Sequence, residues 1–433
     1  MRLGHLDAPS RDRLMRFVGL TARPDLTPAQ AESAQAMVRS PTWEPLPRLP
    51  ALYHLEPLLR HHAIDLGFEP EQVMVQEGGG LKEPLSFYQA AAQYYERQRV
   101  LQQLLEEFHK DGVGPVILVK GAALSPYFPS PALRFMSDFD FIIRPEQSER
   151  VQDLLASLGW LYTANSWASR NGISLDLLEG SNAFSEEICA ATRPHPSYPA
   201  DWQVLQPDPA HHLLMLAIHA QQHGGARIWR DVCDAALFVA LPSPLLGPAA
   251  TPGDVSRLAE RAMELAARHQ AAVSLAAFFR FLNAHCHPSA PLPEQAPQWS
   301  TGEETSCAGL LRLYGELAAD RASLLAFDYM TSLLALPRSL WHYGCTWVGT
   351  AFGRREISHP PRLPGYSGAQ TDPLIGAVLV GAPVRRQLMK LRVGLSALMT
   401  RNPLRYWNLV RLRNSLPAQP KPFAAAAVKP RRR

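Results

Sequence analysis

Cysteine is scarce and scattered. Cys189, Cys233, Cys286, Cys307 and Cys345 are five in 433 residues, an odd number with no Cys-x-x-Cys pair. That argues against a zinc knuckle or a disulfide framework and predicts a reducing compartment. Long apolar runs are also missing: no stretch approaches the roughly 18 apolar residues of a spanning helix. The opening MRLGHLDAPSRDRLMRF lacks the apolar core of a signal peptide, so the expected location is the cytoplasm. Acidic residues are absent from Pro373 onward. That segment holds thirteen Lys/Arg and no Asp/Glu, which leaves residues 1–372 at a net charge of −9 beneath the overall +4. A basic tail of this kind can meet phosphate in RNA, DNA or lipid headgroups, or dock on the acidic body.

What is present is an ordinary globular composition, 46% hydrophobic, in a chain long enough for two or three compact units. Its 39 prolines gather in linkers. The pattern divides into an N-terminal helical region with a linker (1–84), a core (85–240), a C-terminal helical domain (254–345), and a Pro/Gly-rich linker with the basic tail (346–433). Thr27-Pro28 predicts a helix N-cap and first turn. His54, His61 and His62 read as polar-face or satisfied helix residues rather than ligands. Phe87, Tyr94 and Tyr95 belong to the core stripe of a long amphipathic helix ending near Gly112.

The stretch with chemistry in it runs from Val116 to Arg144, VILVKGAALSPYFPSPALRFMSDFDFIIR. Its first four residues are apolar and rich in β-branching, which predicts a buried strand ending at Lys120-Gly121. A Pro-broken loop carries Arg134, and DFDFII from Asp138 predicts a second strand. Side chains alternate along a strand, so Asp138 and Asp140 share one face while Phe139 and Phe141 point into the core. Two carboxylates on one face of a half-buried strand repel each other unless something positive lies between them. A divalent metal ion is the usual answer. Asp176, flanked by apolar residues on a third predicted strand after the hairpin signal Asn171-Gly172, has the same setting. The order of elements predicts an α/β unit with a small mixed sheet. The bland alternative is surface carboxylates guarding a sheet edge.

Lys120-Gly121, Arg134, Asp138-Phe139-Asp140-Phe141 and the later Asp176 together resemble the nucleotidyltransferase superfamily with the polymerase-β-type core. More narrowly, they are similar to an uncharacterised bacterial nucleotidyltransferase family whose core reads lysine-glycine-alanine, arginine, aspartate-x-aspartate. They also resemble nucleotidyltransferase-like toxins of toxin–antitoxin systems. The resemblance covers about 85–237 and is most specific between Lys120 and Ile143. It implies an α+β fold, a small mixed β-sheet nucleotidyltransferase core flanked by N-terminal and C-terminal helical regions. It implies transfer of a nucleotidyl group from a nucleoside triphosphate to an acceptor (a protein side chain, an RNA end or a small molecule), with Mg2+ or Mn2+ as cofactor. Asp138 and Asp140 then hold the metals and the triphosphate, and Asp176 completes the second metal site and helps to deprotonate the acceptor hydroxyl. Lys120 and Arg134 offer positive charge to the β- and γ-phosphates, and Gly121 lets the backbone approach them. Ala122 departs from the superfamily pattern, because many members place Gly or Ser after that glycine and use the serine hydroxyl on the triphosphate. The alternative is therefore a non-catalytic nucleotide-binding or interaction protein on the same fold.

His219 and His223 stand at i, i+4, but the residue after His219 is Ala220 and not the glutamate of a zinc protease. The narrower family tends to carry a histidine-bearing helix here, then an aspartate in a second apolar helix, which Asp234 matches. On that basis Arg227 or Arg230 meets phosphate; the competing role for these residues is to cap and pair core helices. In the tail, 384–413 interleaves eight Lys/Arg with Leu, Met and Trp407, a pattern for an anionic membrane surface, for RNA, or for a terminal helix docked on the acidic body.

Overall fold

Seven strands make one mixed sheet: β1 (Val116–Val119), β2 (Asp138–Ile143), β3 (Leu161–Thr163), β4 (Ser166–Ala168), β5 (Ser174–Glu179), β6 (Thr192–Pro194) and β7 (Val204–Pro207). Their order is β3-β4-β5-β2-β1-β7-β6. β1 runs antiparallel to β2 and parallel to β7, while β2 and β5 are parallel. The computed structural model describes residues 8–46, 52, 55–74, 87–134, 136, 138–163, 166–169, 173–180, 182–222, 227–295 and 299–318. The basic tail, Asn171-Gly172, His54, His223 and the helical segment expected beyond residue 318 lie outside them.

The sheet separates two apolar cores, and strand alternation decides which residue enters which. Val116, Leu118, Phe139, Phe141, Leu175 and Leu177 meet one core. That core is closed by Leu101, Leu105 and Phe108 of α5 (Phe87–Lys110) and by Val151 and Leu155 of α7 (Ser148–Ser157). Ile117, Val119 and Ile142 meet the other. Its cover is α9 (Pro209–Gln222), α10 (Ile228–Val239) and α12 (Ala272–His285), with Leu213, Trp229 and Phe278 fully buried. The same core takes Phe17 of α1 (Ala8–Thr21) and Leu59 of α3 (Glu56–Asp65), so the N-terminal and C-terminal helical regions are packed into one apolar mass. Burial of this kind, near 25 cal/mol per Å² of apolar surface, is what holds the helices to the sheet.

Most local signals act where they were expected; Tyr95, expected in the core stripe of α5 with Tyr94, is instead exposed. Thr27 caps α2 (Pro28–Arg39) in a reciprocal box with Gln30, which satisfies two backbone donors at the helix start. Gly112 follows α5 at φ +64, the left-handed exit that glycine adopts without strain. His61 pairs with Asp65, and buried His62 shares a hydrogen bond with the Arg23 carbonyl, so both are satisfied helix residues. No helix among the described residues is long and apolar enough to cross a membrane.

Candidate active site

Three strand ends bring the predicted residues together. β1 and β2 pair with Val119 opposite Asp140, so the residue after the strand, Lys120, lands beside that carboxylate. β2 and β5 pair in parallel with Asp140 opposite Asp176. Asp138, Asp140 and Asp176 therefore share the sheet face of Ile117, Val119 and Ile142, under α9 and α10. The alternation seen in the sequence predicts this face; the register adds that Asp176 is the cross-strand neighbour of Asp140.

Lys120 opens the short helix α6 (Lys120–Leu124) at φ +52. A non-glycine residue held there costs about 1 kcal/mol or more and persists only where its surroundings impose it. Two contacts do so: the Lys120 backbone N–H donates to His212 Nε2 at 3.2 Å, and Nζ donates to Asp140 Oδ1 at 2.6 Å. Asp140 is 5% exposed. Burial raises its pKa, Lys120 pulls it back, and Asp138 adds a further upward push. Asp176 is raised to about 6, first by burial and then by the charges of Asp140 and Asp138. Asp140 and Asp176 are thus each pushed upward by neighbouring carboxylates, which an added cation would relieve.

Arg134 pairs with Asp234 of α10. Its Nε and Nη2 each lie 2.6 Å from one oxygen of Asp234, a bidentate pair whose members are 4% and 0% exposed. Burial opposes the guanidinium, yet Asp234 outweighs it and holds the Arg134 pKa above its ordinary value. Gly121 owes its small size to this arginine: a Cβ there would stand 3.2 Å from Met136 Cγ and 3.4 Å from Arg134 Nη1. Gly121→Ala is expected to cost roughly 1–2 kcal/mol by overpacking, seen as a lower urea midpoint at unchanged m-value; an unchanged midpoint would show that Met136 yields freely. Ala122 is buried in the α5 core, so a serine at this position would carry its hydroxyl into apolar packing.

Behind this lies a layer whose pairings no local sequence pattern encodes. His212 and His219 are seven residues apart on α9, about two turns, and so share a face. His212 accepts from the Lys120 N–H, which requires a neutral ring; burial pushes it down to about 3. His219 Nε2 lies 3.2 Å from Arg230 Nη2. Arginine can only donate, so His219 carries its proton on Nδ1 and donates it to Asp231 Oδ1 at 2.9 Å. Burial, then the charge of Lys120, keeps His219 well below its usual pKa. Arg230 is 5% exposed; its charge acts on Asp140, and its buried Nε has no hydrogen-bond partner among the described residues. Asp234 and Arg230 could be picked from the sequence as polar residues in an apolar helix; their partners could not.

The donors available to a metal ion are carboxylate oxygens alone, which suits Mg2+ or Mn2+ better than the softer metals. Their mutual repulsion fits the same assignment. Among the described residues, no group of three His, Cys, Asp or Glu side chains is arranged to hold a metal ion; at Asp140 the positive charge in contact is the Lys120 ammonium. A family model described as an uncharacterised nucleotidyltransferase matches residues 42–283, more than half of the 433-residue chain. The matched span runs from before α3 to within α12 and includes every strand of the sheet. No curated protein and no solved structure matches the chain.

Proposed function

Because the chain belongs to the uncharacterised nucleotidyltransferase family, we propose that Asp138, Asp140 and Asp176 serve to move a nucleotidyl group from a nucleoside triphosphate to a hydroxyl-bearing acceptor, with Mg2+ or Mn2+ as cofactor. The observation that carries this is the register placing Asp140 beside Asp176, with Asp138 two residues along the same face. The bound ion supplies charge neutralisation at the triphosphate and at the attacking and leaving oxygens. The acceptor oxygen forms a bond to the α-phosphorus, the α–β bridging bond breaks, and pyrophosphate leaves with the electron pair. Asp176, half-buried on the same face as Asp138 and Asp140, takes the acceptor proton as general base. Lys120 and Arg230 direct positive charge towards the phosphate oxygens, and Arg134 holds α10 against the Gly121 turn through Asp234. The acceptor is a protein side chain, an RNA end or a small molecule.

The test incubates the full chain with Mg2+ or Mn2+ and each nucleoside triphosphate labelled at the α-phosphorus, alone and with candidate acceptors. Label is expected on an acceptor with wild type and absent after Asp138→Ala with Asp140→Ala. Nucleotide that binds but stays intact in both would leave the non-catalytic binding protein as the function of this fold. Absence of any nucleotide binding, unchanged by the double substitution, would contradict both.

A further inference from the structure

We propose that Lys120 is a tethered place-holder for the divalent cation: its ammonium occupies Asp140 while the site is free of nucleotide, and it yields that carboxylate as phosphate draws it away. This rests on the nucleotidyl-transfer assignment above, which gave Lys120 a phosphate role and left open what Asp140 does before nucleotide arrives.

Three observations support it. The Nζ–Oδ1 distance of 2.6 Å is a full charge-assisted contact, made to the carboxylate that the register places beside Asp176. The contact is asymmetric: the Asp140 side chain is 7% exposed and the Lys120 side chain 20%, so the ammonium reaches in from the open side while the carboxylate stays put. Finally, the Lys120 main chain is pinned at φ +52 with its N–H on His212. Any exchange is then confined to the flexible four-carbon stem, which can swing without disturbing β1 or α6.

The consequence is a coupling. An ammonium and a dication cannot share one carboxylate oxygen, because they repel each other strongly in a buried setting. Cation binding in the absence of nucleotide must displace Lys120 and is weakened by that displacement. Phosphate offers the displaced ammonium a new partner, so nucleotide and cation each tighten the binding of the other, as linkage requires. A site built this way keeps Asp140 paired at rest and loads its metal together with its substrate.

The experiment titrates Mn2+ into nucleotide-free full-length protein, following free Mn2+ by electron paramagnetic resonance and heat by calorimetry. Lys120→Met is expected to bind Mn2+ at least about tenfold more tightly than wild type, and Lys120→Arg to remain near wild type. Lys120→Gly removes both the ammonium and the backbone strain; it should behave as Lys120→Met does and covers the case in which methionine fails to fold. Adding Asp140→Asn to either neutral variant should abolish the gain. If the neutral variants bind Mn2+ no more tightly than wild type while Asp140→Asn still weakens binding, the place-holder role is wrong and the metal site stands. If Mn2+ binding ignores Asp138 and Asp140 in every background, the metal role of these carboxylates falls, and the place-holder with it.

Discussion

Asp234→Ala is expected to lower the melting temperature by on the order of 10 °C, because it strands the Arg134 guanidinium without its counter-charge inside the protein. The pair is bidentate at 2.6 Å and its members are 4% and 0% exposed. Removing one partner of such a pair costs about 3–5 kcal/mol, and in a structured region of this size each kcal/mol shifts melting by a few degrees. The loss should be relieved in Arg134→Met with Asp234→Leu, since two apolar side chains of similar volume leave no charge to solvate. That double variant also separates two roles for Arg134. If it folds well and binds nucleotide as wild type does, Arg134 holds α10 in place and nothing more. If it folds well but binds nucleotide ten- to a hundredfold more weakly, the guanidinium also touches phosphate. A single Asp234→Ala variant as stable as wild type would contradict the buried pair itself.

Acid should unfold the protein well before its exposed carboxylates are protonated. His62, His195 and His212 are 3%, 2% and 1% exposed. Burial pushes their pKa values down to about 4, about 4 and about 3. The unfolded chain binds protons at these rings near the ordinary value, while the folded chain does so only at lower pH. Stability is therefore present in full above about 6.5, falls as the pH drops, and levels off only below the folded-state values. At pH 5 each ring contributes a loss of about 2 kcal/mol, against total stabilities that usually lie between about 5 and 15 kcal/mol. Asp140, Asp176 and Asp234 work in the opposite direction, because burial raises the pKa of each, Asp176 to about 6, and protonation relieves it. Asp140 and Asp234 each keep a cationic partner that offsets this, and buried His219, also held well below its usual value, adds to the three imidazoles. Urea midpoints measured from pH 7.5 to 4.5 should fall steeply below 6.5. A flat profile to pH 5 would mean that these rings reach water readily.

The parts of this architecture visible in the sequence are those set by near neighbours. β1, β2 and the aspartate face of β5 follow from alternation over four to six residues, and α2, α5 and α9 from periodicity and caps. β6 and β7 escape because Thr-Arg-Pro and Val-Leu-Gln-Pro are short and end in proline; β7 owes its state to lying against β1, far away in sequence. The Lys120-Gly121 turn is instructive. A glycine suggests that the unusual backbone belongs to it, yet the positive φ is at Lys120, and Gly121 serves to make room for Met136 and Arg134. The Arg134–Asp234 pair spans 100 residues, and the Lys120–His212 contact 92. Both depend on how α9 and α10 settle on the sheet, which no local pattern carries. Asp138, Asp140 and Asp176 were legible because burial on a strand makes a carboxylate conspicuous. Lys120, Arg134 and Arg230 could be named as cations of the site too, but not which carboxylate each one pairs with.

The central claim is tested most directly by comparing one nucleoside triphosphate labelled at the α-phosphorus with the same compound labelled at the γ-phosphorus, in the presence of Mg2+ or Mn2+. Nucleotidyl transfer predicts that the α-label moves onto the acceptor while the γ-label is released in pyrophosphate, and that both events stop in Asp140→Asn. Movement of the γ-label onto the acceptor, or release of the γ-label as single phosphate with the α-label left in the nucleoside diphosphate, would contradict it.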